Sequence, residues 1–401
     1  MSPRIKFIDE VSLEKKTILL RVDFNVAIVR DKNAKIIDDI RIRQVIPTIK
    51  LLQEAGNKLI LVSHLSNPKK RDSRYSLKIV LKRLEELLPQ YSFKLIDDFM
   101  SPEGKREISL QKEHEILLLE NIRFHDGERK NDLTFAKQLS RIADVYVNDA
   151  FAVSHRTEAS IVKVPSLIPS YGGLLLKKET KTISEILERA EKPFVAIVGG
   201  AKIETKIDLI ERLIGTVDFI LVGGGVANTL LCAAGYEIRN SHCEYKKMKG
   251  ARELMDTARE KGTTFILPTD VVVGRSKRQK KGTVQGVNSI PVGSQILDIG
   301  PESQDQFSEI ISQARTIVWN GPVGYFENPE FAQGTNAIYR AITVNDEATS
   351  VIGGGETLSS ISKKDLHEKV THLSTGGGAM LEYIQNGGLP GIWALSSYRL
   401  R

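Results

Sequence analysis

The sequence predicts an α/β protein of two domains, each built on a parallel sheet covered by helices on both faces. Three observations carry the prediction. Short apolar strands alternate with helical patterns in both halves of the chain. The length of 401 residues exceeds the roughly 250–300 residues that one hydrophobic core serves. Five glycine turns, 199–201, 223–225, 320–322, 353–355 and 376–378, each follow an apolar strand in the second half, as backbone shaped around a phosphorylated ligand does.

In the first half, residues 17–24, 58–63, 93–98, 115–119 and 143–147 read as strands, and 40–53 and 77–88 carry apolar residues at helical spacing. Residues 165–173 hold two prolines and two glycines and mark a boundary. Beyond them Leu176, Ile183, Ile186, Leu187 and Ala190 line one helical face until Pro193, predicting a stiff helical linker. The second half repeats the scheme with strands at 194–198, 219–222, 264–267, 316–319 and 350–352. The polar stretch 274–294, with Arg275, Lys277, Arg278, Lys280 and Lys281, reads as an exposed excursion whose charge is solvated.

Hydrophobic residues at 41% and charged residues at 27% exclude a disordered or fibrous chain. The net charge of +7 is compatible with nucleic acid, an anionic membrane or small anionic substrates. No stretch approaches the ~20 apolar residues that span a bilayer, and the start lacks an apolar signal core, so a cytoplasmic protein without membrane association is expected. Cys232 and Cys243 have no CxxC spacing, which argues against zinc and a disulfide framework; reduced thiols are expected, with Cys232 buried in an apolar helix.

Polar residues gather where the first-half strands end: Asp23 and Asn25, Ser63 and His64, Asn121 and Arg123, Asn148 and Asp149. Ligands of open α/β sheets bind beyond the carboxyl ends of the strands, so these groups should share one crevice. Arg41, His64, Arg123 and Arg156 would form its cationic rim, suited to a small dianion, with Asp23 and Asn25 orienting arginines or binding a hydroxyl. Taken singly, Asp23 also fits a turn cap and His64 a hydrogen-bonded core histidine; their concurrence at strand ends favours a site. Arg43, Arg71, Arg74, Arg129 and Lys130 read as surface charges, and neither a Ser-His-Asp set nor HExxH can be assembled.

In the second half Gly199, Gly200 and Ala201 offer backbone N–H groups at a strand-to-helix junction. Lys202 adds a point charge, and Lys206, four residues on, is expected on the same helical face. Neither the P-loop nor GxGxxG is present, and Gly223, Gly224 and Gly225 fit a phosphate turn or a packing turn. After Gly353, Gly354 and Gly355, Glu356 and Thr357 put a carboxylate and a hydroxyl at the next helix start; Glu356 fits a Mg²⁺ ligand or an acidic residue answering the helix dipole.

The segments Arg21-Val22-Asp23-Phe24-Asn25, Asp38-Asp39-Ile40-Arg41-Ile42-Arg43, Ser63-His64-Leu65, Glu120-Asn121-Ile122-Arg123-Phe124, Val147-Asn148-Asp149-Ala150-Phe151, Gly199-Gly200-Ala201-Lys202, Trp319-Asn320-Gly321-Pro322-Val323-Gly324 and Ser374-Thr375-Gly376-Gly377-Gly378, with Gly353-Gly354-Gly355, resemble the phosphoglycerate kinase family in order over nearly the whole chain. The resemblance implies two Rossmann-like three-layer domains joined by a helical hinge and facing each other across a cleft. Residues 1–172 would bind the triose, 173–190 form the interdomain helix and 191–380 bind nucleotide, with a tail from about 381 to 401 packing back on the first domain.

It further implies reversible phosphoryl transfer between 1,3-bisphosphoglycerate and ADP, giving 3-phosphoglycerate and ATP, with Mg²⁺, in a monomer. Transfer would be in line after domain closure and without a general base. Asp23, Asn25, Arg41, His64, Asn67, Arg123 and Arg156 would meet the triose. Gly200, Ala201, Lys202, Lys206, Gly224, Asn320, Pro322, Gly324, Glu327, Gly353, Gly354, Gly355, Glu356 and Thr357 would meet the nucleotide, Glu327 at the ribose and Glu356 at the metal. Arg41, Lys202, Gly354 and Gly377 would serve the transferring group.

Four positions depart from the family pattern. Asn67 replaces an arginine, Ala152 a glycine, Glu158 a histidine and Glu356 an aspartate, and three of these lie in the triose half. A dinucleotide-dependent dehydrogenase would share the fold but needs GxGxxG. A non-catalytic phosphometabolite sensor or nucleic-acid binder is the stronger rival, on Asn67, Glu158 and the +7 charge, yet the basic stretch 275–281 carries no recognition motif and no nucleic-acid partner is expected.

Overall fold

The structure is a computed structural model that describes residues 5–29, 34–361 and 364–398. The first four residues, and residues 399–401 of the expected returning tail, lie outside the described residues. The chain divides into two units, Met1–Lys181 with Asn386–Arg401, and Thr182–Gln385.

The first unit contains β1 (Thr17–Arg21), β2 (Ile28–Val29), β3 (Lys35–Ile36), β4 (Lys58–Val62), β5 (Ser92–Ile96), β6 (Glu115–Leu119), β7 (Val145–Asn148) and β8 (Ser170–Gly172). Six of them form a parallel sheet in the order β5-β6-β4-β1-β7-β8, while β2 and β3 pair as an antiparallel ribbon. Ile18, Leu19 and Leu20 are all fully buried, because helices cover both faces of the sheet and a central parallel strand has no solvent side. The first strand stops at Arg21 rather than running to Phe24. Asp23 accepts the Asn25 N–H at 3.0 Å in a local turn, which takes the chain out of the ladder.

The helix Leu174–Arg189 carries the boundary between the units, at Lys181 and Thr182. Leu176, Ile183 and Ile186 are buried on it. The Asp149 carboxylate, at the end of β7, accepts the Leu176 N–H at 2.9 Å near the first turn of this helix. Burial pushes the Asp149 carboxyl up to about 7, against the lowering effect of Thr48 and the backbone N–H groups. Asp149 is therefore a structural cap. Beyond the second unit the chain rejoins the first: Gly391 donates its N–H to Ser154 O at 2.8 Å, and Asn148 donates to Gly391 O at 3.3 Å.

The second unit contains β9 (Phe194–Val198), β10 (Phe219–Val222), β11 (Thr264–Ile266), β12 (Asp270–Gly274), β13 (Thr283–Gly286), β14 (Gln295–Ile299), β15 (Thr316–Asn320), β16 (Thr349–Gly353) and β17 (His372–Ser374). Its parallel sheet runs β11-β10-β9-β15-β16-β17. The chain winds outward on one side from β9 and on the other from β15, so the crevice of this doubly wound sheet opens between those two strands.

Two expectations are corrected here. The stretch 274–294 is not wholly an exposed excursion: β12, β13 and β14 form a three-stranded antiparallel sheet, and Val287 and Ile290 are buried with Val271 and Val273 against Leu231 and Ile238. The dense charge from Arg275 to Lys281 masks this short apolar alternation in the sequence. Cys232 is only half-buried, in the last turn of the helix Gly224–Ala233 with its Sγ 3.7 Å from Met248 Sδ; both cysteines are free thiols. Among the described residues no helix is long and apolar enough to cross a membrane.

Candidate active site

Parallel pairing of β1 with β4 and β7, and of β4 with β6, places the four strand-end clusters of the first unit at one edge of its sheet. There the Asp23 carboxylate is paired with Arg41, and Asp23 Oδ1 lies 3.7 Å from His64 Nδ1. Burial pushes the Asp23 carboxyl up, but Arg41, His64 and the Asn25 N–H outweigh it and hold it below its ordinary range. His64 is fully enclosed, and burial, opposed by Asp23 but aided by Arg21, Arg123 and Arg41, drives it well below the usual imidazole value. The imidazole is neutral at pH 7. Asn121 and Asn148 turn out to be structural: Asn121 donates to Leu65 O at 2.8 Å, and Asn148 donates to Ser154 Oγ at 3.1 Å.

Of the departures in this unit, the structure accounts for Glu158, while nothing in it explains Asn67 or Ala152. Ser66 takes φ of 59°, a region strained for a side-chain-bearing residue. It is held there because its N–H donates to Asn25 Oδ1 at 2.7 Å and its carbonyl accepts from Arg123 Nη1 at 2.8 Å. Asn67, beside it, is exposed. Glu158 is buried, with its Oε1 2.8 Å from Arg123 Nη2 and 3.9 Å from Arg156 Nη1, while its Oε2 has no hydrogen-bond partner. Its charge is therefore answered by Arg123, and the charge of Arg123 is answered in turn before any ligand arrives. Arg156 stays about half exposed, at 46%.

In the second unit a cavity of about 360 Å³ opens at the crevice of the sheet. Of the residues picked out by sequence, Ala201, Lys202 and Gly224 line it, as do Pro322, Gly324, Glu327 and Glu356. Gly200, Lys206, Asn320, Gly353, Gly354, Gly355, Thr357 and Gly377 lie outside its lining. Lys202 is exposed, whereas Lys206 is half-buried and donates to Asn320 Oδ1. Burial lowers the Lys206 ammonium to about 8, and Glu356 opposes that shift.

The glycine turns behave differently from the sequence expectation. Gly199 and Gly200 do not offer free N–H groups, because these donate to Asn320 O at 2.9 Å and Pro322 O at 2.8 Å. A Cβ at Gly199 would strike the backbone oxygens of Gly321 and Pro322, and one at Gly377 would lie 2.5 Å from Gly354 Cα. These glycines let neighbouring turns pack backbone to backbone. Thr357 serves the same packing, accepting the Gly321 N–H at 2.8 Å and donating to Gly353 O at 2.9 Å. Lys202 and Lys206 do not share a helical face, since the helix begins only at Ile207 and the Lys206 N–H bonds to Ile203 O in a turn.

Sequence reasoning missed other residues of this cavity. Lys277 lies 4.7 Å from the centre of the Tyr325 ring and both line the cavity. Charge counting had absorbed Lys277 into a solvated run. Asn228, Leu231 and His242 also line it, and no local pattern marked them. Asp298 is buried there, pushed up to about 8 by burial although it accepts the Gly334 and Ile299 N–H groups.

A family model described as phosphoglycerate kinase matches residues 8–387. The chain is 46% identical over 384 residues, 96% of each protein, to the phosphoglycerate kinase of Dictyoglomus turgidum. It is 43% identical to that of Pelotomaculum thermopropionicum over 97% of this chain and 98% of the relative. Among solved structures it resembles phosphoglycerate kinase from Coxiella burnetii, with a TM-score of 0.83 and 35% identity over 98% of this chain and 99% of the other. The enzyme from Pyrococcus horikoshii matches with a TM-score of 0.86 and 33% identity over 98% of each chain.

Proposed function

The chain belongs to the phosphoglycerate kinase family, and from that premise we propose how its residues divide the work. The reaction is reversible phosphoryl transfer between 1,3-bisphosphoglycerate and ADP, giving 3-phosphoglycerate and ATP. The triose binds at Asp23, Asn25, Arg41, His64, Arg123 and Arg156, and the nucleotide occupies the cavity of the second unit. The observation that carries the second assignment is the cavity itself. Lys202, Glu356 and the exposed Glu327 line it together with the apolar Leu231 and Val271, a mixed lining that suits phosphates, a ribose and a base.

Neither the attacking ADP oxygen nor the departing carboxylate needs a proton at neutral pH, so the chemistry rests on alignment and charge. Arg41 and Lys202 neutralise the equatorial oxygens of the transferring group. Groups carried by different units have to be brought in line, so the proposal includes a closing movement that also excludes water from the acyl phosphate. The Glu356 carboxylate on the cavity lining suits Mg²⁺, which is held by one or two carboxylates plus substrate phosphates; among the described residues no cluster of three ligating side chains exists. Bound there, Mg²⁺ would neutralise phosphate charge. A coupled assay of the purified chain with 3-phosphoglycerate and Mg-ATP tests the whole reading, and ADP release at background level would sink it.

Two further outcomes are expected. Nucleotide phosphates favour protonated Lys206, raising its value above about 8. ADP binding near pH 8 therefore takes up a proton, and ADP affinity falls as pH rises beyond that. Calorimetry in two buffers of different ionisation enthalpy reads the uptake directly; equal heats would refute it. Glu158→Gln removes an anion competing with the triose for Arg123, so KM for 3-phosphoglycerate should fall roughly fivefold with KM for ATP unchanged. A rise in KM would show that Glu158 instead holds Arg123 in its binding position.

A further inference from the structure

The cavity of the second unit contains a buried amide whose oxygen has no hydrogen-bond partner among the described residues. Asn228 is 4% exposed and lines the cavity, and its Oδ1 makes no hydrogen bond. It stands on the helix Gly224–Ala233, one turn after Gly224 and one before Leu231, and all three face the cavity. Gly224 lies beside the Gly199–Lys202 turn, since a Cβ there would come within 2.9 Å of Gly200 O. Leu231 packs with Val271 in an apolar cluster, and both line the cavity. Along the helix Asn228 therefore stands between the residue that packs on the Gly199–Lys202 turn and the residue that joins the apolar cluster. The other buried polar side chain on this lining, Asp298, already accepts the Ile299 and Gly334 N–H groups and has a structural task.

A buried amide without a partner is costly, and the cost is recovered when a ligand pairs with it. A carboxamide presents one donor and one acceptor side by side. Adenine answers with its N6 amino group and N7, whereas guanine shows two acceptors, O6 and N7, and leaves the amide oxygen facing another oxygen.

We infer that Asn228 is a specificity-determining residue that pairs with the N6/N7 edge of the base and so selects adenine over guanine nucleotides. The inference rests on the nucleotide reading of the cavity. It is tested by calorimetric binding of ADP and GDP to the full chain and to Asn228→Leu, which keeps the side-chain shape. Asn228→Ala is measured alongside, and thermal melting identifies which variants are folded. The wild type should prefer ADP, and that preference should fall roughly tenfold in each folded variant, with KM for 3-phosphoglycerate unchanged. ADP bound by all three with an undiminished preference over GDP would overturn the inference while leaving the nucleotide reading intact. A wild type that binds neither nucleotide would overturn both.

Discussion

Lys202→Ala is expected to lower kcat by roughly a hundredfold to a thousandfold while changing KM for ATP only slightly. Removing one preorganised donor aimed at a developing charge costs about 3 kcal/mol in an enzyme barrier. Lys202 is placed for that task, exposed on the turn that follows β9 and lining the cavity. The contrast with Lys206 is built into the fold. Lys206 is half-buried and donates to Asn320, whereas Lys202 is exposed; on the proposed reading Lys206 would hold the resting phosphates and Lys202 would meet the transferring group. Steady-state kinetics separate the two: a Lys202→Ala enzyme with unchanged kcat and a raised KM would make that lysine a ground-state binding group only.

Arg21→Leu should destabilise the protein by about 3–5 kcal/mol at pH 8, because it strands a buried acid. Arg21 is fully buried at the end of β1, and its Nε donates to Ser160 Oγ at 2.9 Å. Ser160 in turn donates its hydroxyl to Glu128 Oε1 at 2.6 Å and its N–H to Oε2 at 2.8 Å. Burial pushes the Glu128 carboxyl up, and Arg21 and Ser160 are what hold it down. Without Arg21 the folded-state value climbs further above the unfolded one. A group raised in this way favours folding while protonated, below its unfolded value, and loses that contribution as pH rises through its folded value. The damage should therefore be smaller at pH 5 than at pH 8. Urea unfolding at both values checks this, and equal losses, or a loss below about 1 kcal/mol at pH 8, would show that Glu128 does not depend on Arg21.

The first-unit site was largely legible in the sequence because its parts are strand ends. Once 17–21, 58–62, 115–119 and 145–148 are parallel strands of one sheet, the residues after them share an edge, and Asp23, His64 and Arg123 follow. What the sequence left open there was pairing. That Glu158 faces Arg123 depends on contact between residues 35 positions apart, and no spacing rule reaches that far. The same limit explains the strands β12 to β14, whose apolar alternation becomes a core only when Val271 and Val273 meet Leu231 and Ile238.

The sequence by itself determined the α/β class and the family, since these rest on local periodicity and on motifs of a few consecutive residues. The tertiary structure alone decided what the glycines do and which side chains line the cavity of the second unit. Gly199 and Gly321 are neighbours because β9 and β15 lie side by side, and their backbones approach too closely for any Cβ. Asn228 is an unremarkable helix residue until that packing buries its amide. Both outcomes come from steric exclusion and desolvation between distant segments, and those forces exist only once the chain has folded.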